Sequence, residues 1–339
     1  LRASLALALL LAALSATAAE ASSKAKRTPS TTPISISPVT TTTLLTQPPA
    51  GWTVASTGPR GITALTKTMA GSAGASLTVM EFPVGTTAFH LHVGSTDPPG
   101  AAALVPVDAG TAVSAAELGL LVAAFNGGFK RADAHGGMMV DGTVVSPLVT
   151  GAASAVINAD GSLQIGAWNQ SVPTSGERVS SVRQNLTLLV NGGEVQAAAS
   201  NPSLWGAEIG GASTARSALG VDAAGNVFYI GSMHALPIEL AQAMVSVGAV
   251  RAMQLDINPN WITLGSTANP GGPLSAAVPG QSHSPSIFTS GWTRDFFTVL
   301  AQPPRNCKLV FPAPPMVAAP NPPEVVCGSI GIRPISSRR

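Results

Sequence analysis

Charge is scarce in this sequence. Asp, Glu, Lys and Arg make up only 10% of the 339 residues, and the formal net charge is +2. No run of Lys and Arg forms the basic stripe that nucleic-acid binding needs, so nucleic acid is excluded as a partner. Aromatic residues are also few, at 4%. Past the N-terminus no apolar run has the length of a membrane helix, so no transmembrane span is expected. There is no His-x-x-x-His and no closely spaced cysteine pair, so zinc spacing is absent and no metal ligand is assigned. The Gly-x-Ser-x-Gly elbow and the phosphate-binding Gly-rich signatures are missing too, which argues against a serine esterase and a nucleotide enzyme.

What is present is apolar and small. Hydrophobic residues reach 45%, enough for a sizeable core of Ala and branched side chains. The first 21 residues read as a secretory signal: Arg2 is the basic flank, Ala3 to Leu14 the apolar run, and Ala16-Thr17-Ala18 the small-x-small site. Residues 22–50 are rich in Ser, Thr and Pro and read as an extended linker, because such a segment buries too little to offset its ordering entropy. Residues 51–300 form the folded body, and 301–339 a Pro-rich tail. The two cysteines, Cys307 and Cys327, both lie in that tail. An exported chain would oxidise them to a disulfide worth about 3 kcal/mol. The prolines between them leave little regular structure to expect there.

The body is punctuated by turn signals. Met138–Val140 and Thr143–Val145 flank Asp141-Gly142, the mark of a tight hairpin. Ala153–Asn158 with Leu163–Trp168, Leu186–Val190 before Asn191-Gly-Gly193, and Ser217–Val221 with Val227–Ile230 repeat the theme. Two helices interrupt it. Ser114-Ala-Ala-Glu117 is a capping box leading into a strand at Leu120–Phe125. Pro237 and Glu239 suit a helix start, Leu240, Ala243, Met244 and Val247 fall on one face, and Gly248 stops it. The expected class is α+β: curved, largely antiparallel sheets built from hairpins, with a few packed helices.

The most informative segment is Val250 to Ile262, a strand running out to an aspartate. Gln254 and Asp256 leave on one face and Met253, Leu255 and Ile257 on the other. A carboxylate on the polar edge of a buried strand is held rigidly enough to be aimed. Asn126-Gly127-Gly128 ends an earlier strand, and its glycines would let the backbone take positive φ and approach a ligand. Arg216 enters an apolar strand and needs a carboxylate or a bound anion. His135, before two glycines, is a candidate proton carrier, and Glu208 a further acid.

In order, these segments resemble the phosphodiester glycosidase domain family. The resemblance is carried by Asn126-Gly-Gly-Phe129, Gly137-Met-Met-Val-Asp-Gly142, Arg216-Ser-Ala-Leu-Gly220, Glu239-Leu-Ala241 and Ala252-Met-Gln-Leu-Asp256, and spans roughly residues 110–265. The family's Gly- and Ser-rich continuation after the aspartate is replaced here by Ile257-Asn-Pro-Asn-Trp261. The resemblance implies a secreted or envelope-bound bacterial hydrolase that cleaves the sugar-to-phosphate C–O bond of a glycan or sugar-phosphate polymer. The rival reading is an inactive carbohydrate-binding protein on the same scaffold. Phosphate leaves readily, so the reaction needs a cation on it and a carboxylate near the anomeric carbon. The expected roles are Asp256 as the carboxylate, Arg216 on the phosphate and His135 as proton carrier. Asn126, Gly127, Gly128, Glu208, Gln254 and Asn258 would contact substrate. No cofactor is assigned.

Overall fold

The computed structural model describes residues 45–71, 74–134, 136–206, 212–313 and 324–328. The expected signal sequence and most of the expected Ser/Thr/Pro linker therefore lie outside the described residues. So do His135 and Glu208. Among the described residues, no helix is long and apolar enough to cross a membrane.

Strands dominate, and every paired register is antiparallel apart from an isolated bridge between Trp168 and Val172. The largest sheet has eight strands, in the order Thr53–Gly58, Gly61–Ala70, Ser76–Phe82, Val227–Ala235, Thr214–Val221, Arg251–Gln254, Leu188–Asn191 and Glu194–Val195. A five-stranded sheet has at its centre Leu121–Asn126, paired on one side with Leu264–Ser266 and on the other with Phe296–Ala301, which in turn pairs with Thr87–His92. A second five-stranded sheet is built from the hairpins Met138–Val140 with Thr143–Ser146 and Ala153–Asn158 with Leu163–Ala167, joined through Val179–Gln184.

The hairpins follow the turn chemistry. Asp141 and Gly142 both take positive φ, at 48° and 78°, which a two-residue turn between twisted strands requires. The helix Pro237–Ser246 covers one face of the large sheet with Leu240, Ala241, Ala243 and Met244 buried against Ala218, Ala252 and Ile230. Its start is closed by the Glu239 carboxylate, which accepts from the Leu236 N–H at 2.7 Å. Of the expected capping box, the Glu117 carboxylate accepts from Ser114 N–H at 3.1 Å, the Ser114 hydroxyl finds no partner among the described residues, and the helix behind it is a single turn, Ala115–Leu118. Two further turns of helix, Arg131–Ala134 and Ile287–Ser290, carried no recognisable signal. The main core lies between the sheets, where Phe125 is packed among Phe82, Tyr229 and Phe297.

The tail is described at its two ends. Cys307 and Cys327 are disulfide-bonded. They also face each other in a two-stranded ribbon, Cys307–Val310 against Glu324–Cys327. Leu309 and Phe311 are fully buried. Most of the prolines between the cysteines fall in residues 314–323, outside the described residues, so the ordered ribbon concerns only the two flanks.

Candidate active site

Three of the sequence motifs meet at one point. The strand Leu121–Asn126 ends on Asn126, whose amide nitrogen donates to Ser217 Oγ at 2.9 Å and to the Gly127 carbonyl at 2.9 Å. Its amide oxygen accepts from the Tyr229 hydroxyl at 2.8 Å and from Thr263 N–H at 3.3 Å. Ser217 Oγ accepts in turn from the backbone N–H of Asp256 at 3.3 Å. Asn126 is thus buried with both its donor and acceptor functions engaged inside the protein. Expected to orient a sugar, it instead ties the end of its own strand to Ser217 and Tyr229 on two strands of the large sheet, and through Ser217 to the backbone of Asp256.

Asp256 lies two residues past the end of its strand, on the wall of a cleft of about 490 Å³. Around it stand Phe129, Lys130, Asp133, Asn258, Trp261 and Arg294. One carboxylate oxygen accepts from the backbone N–H groups of Ile257 at 2.7 Å and Asn258 at 2.9 Å. The other faces Arg294 Nη2 at 3.4 Å. Burial pushes the Asp256 carboxyl up to about 7 from an ordinary 3.8, against the opposing pull of Arg294 and the two backbone donors. A carboxyl in that range changes charge near neutrality, as groups that handle protons or developing charge do.

Arg294 is held in place without being saturated. Nη2 donates to the Gly128 carbonyl at 2.9 Å. Nε lies 3.7 Å from Asp97 and has no hydrogen-bond partner among the described residues. The guanidinium rests over the Trp261 ring at 4.9 Å. Lys130 is exposed at the same cleft, as is Asp133.

Arg216 is placed differently from the expectation. Its side chain is fully buried and is not among the residues lining the cleft. Nε donates to the Ala235 carbonyl, Nη1 to the Trp205 carbonyl and Gln254 Oε1, and Nη2 to the Ala212 carbonyl, at 2.8–3.1 Å. Burial lowers its pKa to about 10. The partner demanded by a buried guanidinium is supplied here by neutral oxygens, with no carboxylate among the described residues. Gln254 shares this role: it is fully buried and its amide donates to the Trp205 carbonyl at 3.2 Å. Asn258 does line the cleft, and its side-chain oxygen accepts from Asn260 N–H at 2.9 Å.

The two glycines also serve a purpose other than the one expected. Neither Gly127 nor Gly128 has positive φ. A Cβ on Gly127 would lie 1.8 Å from Asp295 Oδ2, and one on Gly128 would lie 3.1 Å from the Arg183 guanidinium carbon. They are glycines because a buried ion pair, Arg183 Nε to Asp295 Oδ2 at 2.7 Å, packs directly on the backbone behind the cleft.

A second polar cluster is fully buried and contributes no residue to the cleft lining. It joins His90 and His92, on the strand Thr87–His92, to Glu117 and Asp141. Its spacing is His-x-His on one strand face, which a search for helical His-x-x-x-His passes over.

Residues 120–256 match the model of the phosphodiester glycosidase family, which bears out the resemblance carried by the motifs. Among solved structures the chain is similar to the zebrafish N-acetylglucosamine-1-phosphodiester alpha-N-acetylglucosaminidase catalytic domain auto-inhibited by its pro-peptide. That similarity has 16% identity and a TM-score of 0.46, over 74% of this chain and 88% of that one. It is also similar to a hypothetical protein from Synechocystis, with 13% identity and a TM-score of 0.38, over 70% of this chain and 62% of that one. No curated protein matches the sequence.

Proposed function

From a chain whose residues 120–256 match the phosphodiester glycosidases, we propose a hydrolase that cleaves the C–O bond between a sugar anomeric carbon and a phosphodiester oxygen. The observation that carries the reading is Asp256. It is a buried carboxylate on a cleft wall, fixed by two backbone N–H groups and faced by one arginine.

The division of labour follows from charge. In the transition state positive charge grows at the anomeric carbon and negative charge on the departing phosphate. Asp256, ionised, stabilises the first. Arg294 and Lys130, which both line the cleft, stabilise the second. Water supplies the new C–O bond, and the phosphate monoester leaves with the electron pair of the broken one. Its low basicity removes the need for a strong general acid. Trp261 offers an apolar face for the sugar ring, and Asn258 lines the cleft beside it. The setting is an exported protein acting on a glycan or envelope polymer. The disulfide is consistent with an oxidising compartment.

The test is hydrolysis of an alkyl phosphodiester of N-acetylglucosamine 1-phosphate in ¹⁸O-labelled water. The expected products are free sugar carrying the label and unlabelled alkyl phosphate. Label in the phosphate means P–O cleavage and overturns the assignment. A second reading draws on one observation: Trp261, in the segment Ile257–Trp261 that departs from the family's small residues, sits in the cleft. In that reading the cleft holds a glycan without cutting it, and the same assay gives binding with no product.

A further inference from the structure

The buried cluster on Thr87–His92, the edge strand of its five-stranded sheet, gathers donor groups that could hold a metal ion. His90 and His92 are two apart on one strand, so both rings leave on the same face, where Glu117 meets them. His90 Nδ1 is 2.9 Å from Glu117 Oε1, and His92 Nε2 is 3.2 Å from Oε1 and 3.0 Å from Oε2. The three ligand atoms lie within 4.8 Å of one another. Donors about 2.0–2.1 Å from a tetrahedral zinc ion stand about 3.3 Å apart; the three His–Glu separations of 2.9–3.2 Å are close to that, and the 4.8 Å span would close slightly around the ion.

The surroundings supply the second requirement. A metal-binding histidine directs its other nitrogen at a carboxylate or a carbonyl, which fixes the tautomer and turns the lone pair to the ion. His90 Nε2 lies 3.1 Å from both oxygens of Asp141, and His92 Nδ1 lies 3.2 Å from the Gly110 carbonyl. Both rings are oriented in this way. Glu117 is oriented as well: Ser114 N–H donates to Oε2 at 3.1 Å and Thr298 Oγ1 to Oε1 at 3.0 Å. Asp141 is itself fixed by Ser180 Oγ at 3.2 Å. Phe296 stacks on His92 at 4.5 Å and Phe311 packs on His90 at 5.2 Å, closing the site in apolar walls.

The geometry points to a structural zinc site with His90 Nδ1, His92 Nε2 and the Glu117 carboxylate as ligands. The fourth position falls to the second Glu117 oxygen or the Thr298 hydroxyl. Two neutral imidazoles and two carboxylates balance the charge of one divalent ion, and imidazole with carboxylate suits zinc. The ion would clamp the strand Thr87–His92, the helical turn Ala115–Leu118 and the hairpin turn at Asp141 together. It is independent of the glycosidase reading, because none of these side chains lines the cleft. The rival arrangement is metal-free, with a protonated His90 held between Glu117 and Asp141.

The decisive measurement is metal content of the untagged full chain, produced in zinc-supplemented medium and purified without chelator. About one zinc per chain is expected by elemental analysis, and refolding in Co²⁺ should give the visible absorption of a tetrahedral ion. Asp141→Asn keeps all ligands and should weaken zinc roughly 10–100-fold. His234→Ala, an exposed histidine elsewhere, should leave the content unchanged. Wild-type protein with less than about a tenth of an equivalent of metal and no cobalt band overturns the site in favour of the proton-held cluster. That result does not depend on whether any variant folds.

Discussion

Arg294 Nη2 donates to the Gly128 carbonyl at 2.9 Å while lying 3.4 Å from Asp256 Oδ2. The arginine therefore links the glycine turn to the carboxylate and lowers the carboxyl's pKa from where burial alone would put it. Arg294→Met should cut kcat/KM on the phosphodiester by about 10²–10³-fold, the scale of a lost charge-stabilising donor. It should also move the acid limb of the pH–rate profile to higher pH, because Asp256 then loses the nearest cation that offsets its burial. A slower enzyme with an unmoved limb would show that Arg294 does not act on Asp256.

The acid limb in the unmodified protein has a position. With the Asp256 carboxyl at about 7 and its ionised form doing the work, kcat/KM should rise with pH and level off above about 7. Asp256→Asn should abolish turnover at every pH. A limb near 4 would mean that the carboxylate is solvated and of ordinary acidity.

The same shift has a stability sign. The folded carboxyl binds its proton more tightly than the unfolded one, whose pKa is near 3.8. Its contribution is therefore fully present below about pH 4 and is lost as pH rises toward 7. The thermal midpoint of Asp256→Asn, which cannot ionise, should match the wild type near pH 4 and exceed it at pH 8. Scanning calorimetry across that range checks this, and a variant that falls below the wild type at pH 8 contradicts it.

These two residues also mark what the sequence could and could not reveal. The hairpins were readable because Asp141-Gly142 and Gly192-Gly193 state their own backbone requirement. The helix at Pro237 was readable because its cap and its apolar face agree. Asp256 stood out because a carboxylate ended a buried strand. Choosing between Arg216 and Arg294 was harder. Both are arginines at the edge of an apolar strand, and only the packing shows that one meets four internal oxygens while the other reaches the cleft. Arg294 also lies outside the stretch that resembles the family, so the motifs drew attention away from it. The Gly127-Gly128 pair was legible as a constraint but not in its cause, since Asp295 and Arg183 approach it from more than 50 residues away in sequence. His90 and His92 were findable by their period of two.

Gly127 should not tolerate a side chain. A Cβ there meets Asp295 Oδ2 at 1.8 Å and the Asp295 carbonyl at 2.8 Å, and the backbone atom among them has little freedom to retreat. Gly127→Ala should destabilise by about 1–3 kcal/mol or more, as overpacking does in a tight interior. Urea denaturation measures this. A loss under about 0.5 kcal/mol would mean that the ion pair behind the glycine shifts freely.

That ion pair itself permits a sharper test. Arg183 and Asp295 are both buried, and Asp295 also accepts from the Gly128 N–H at 3.3 Å. Removing only the carboxylate leaves a guanidinium in a dry interior with just the Gln184 and Phe129 carbonyls as acceptors. Asp295→Ala should therefore cost roughly 3–5 kcal/mol, most of it from the stranded charge and not from the lost attraction. If so, adding Arg183→Met should recover part of the loss, because the double variant has no unpaired charge to bury. A double-mutant cycle in urea reads the coupling directly. Strictly additive losses would show that solvent already reaches Arg183, and the wall behind Gly128 would then be wetter than this packing implies.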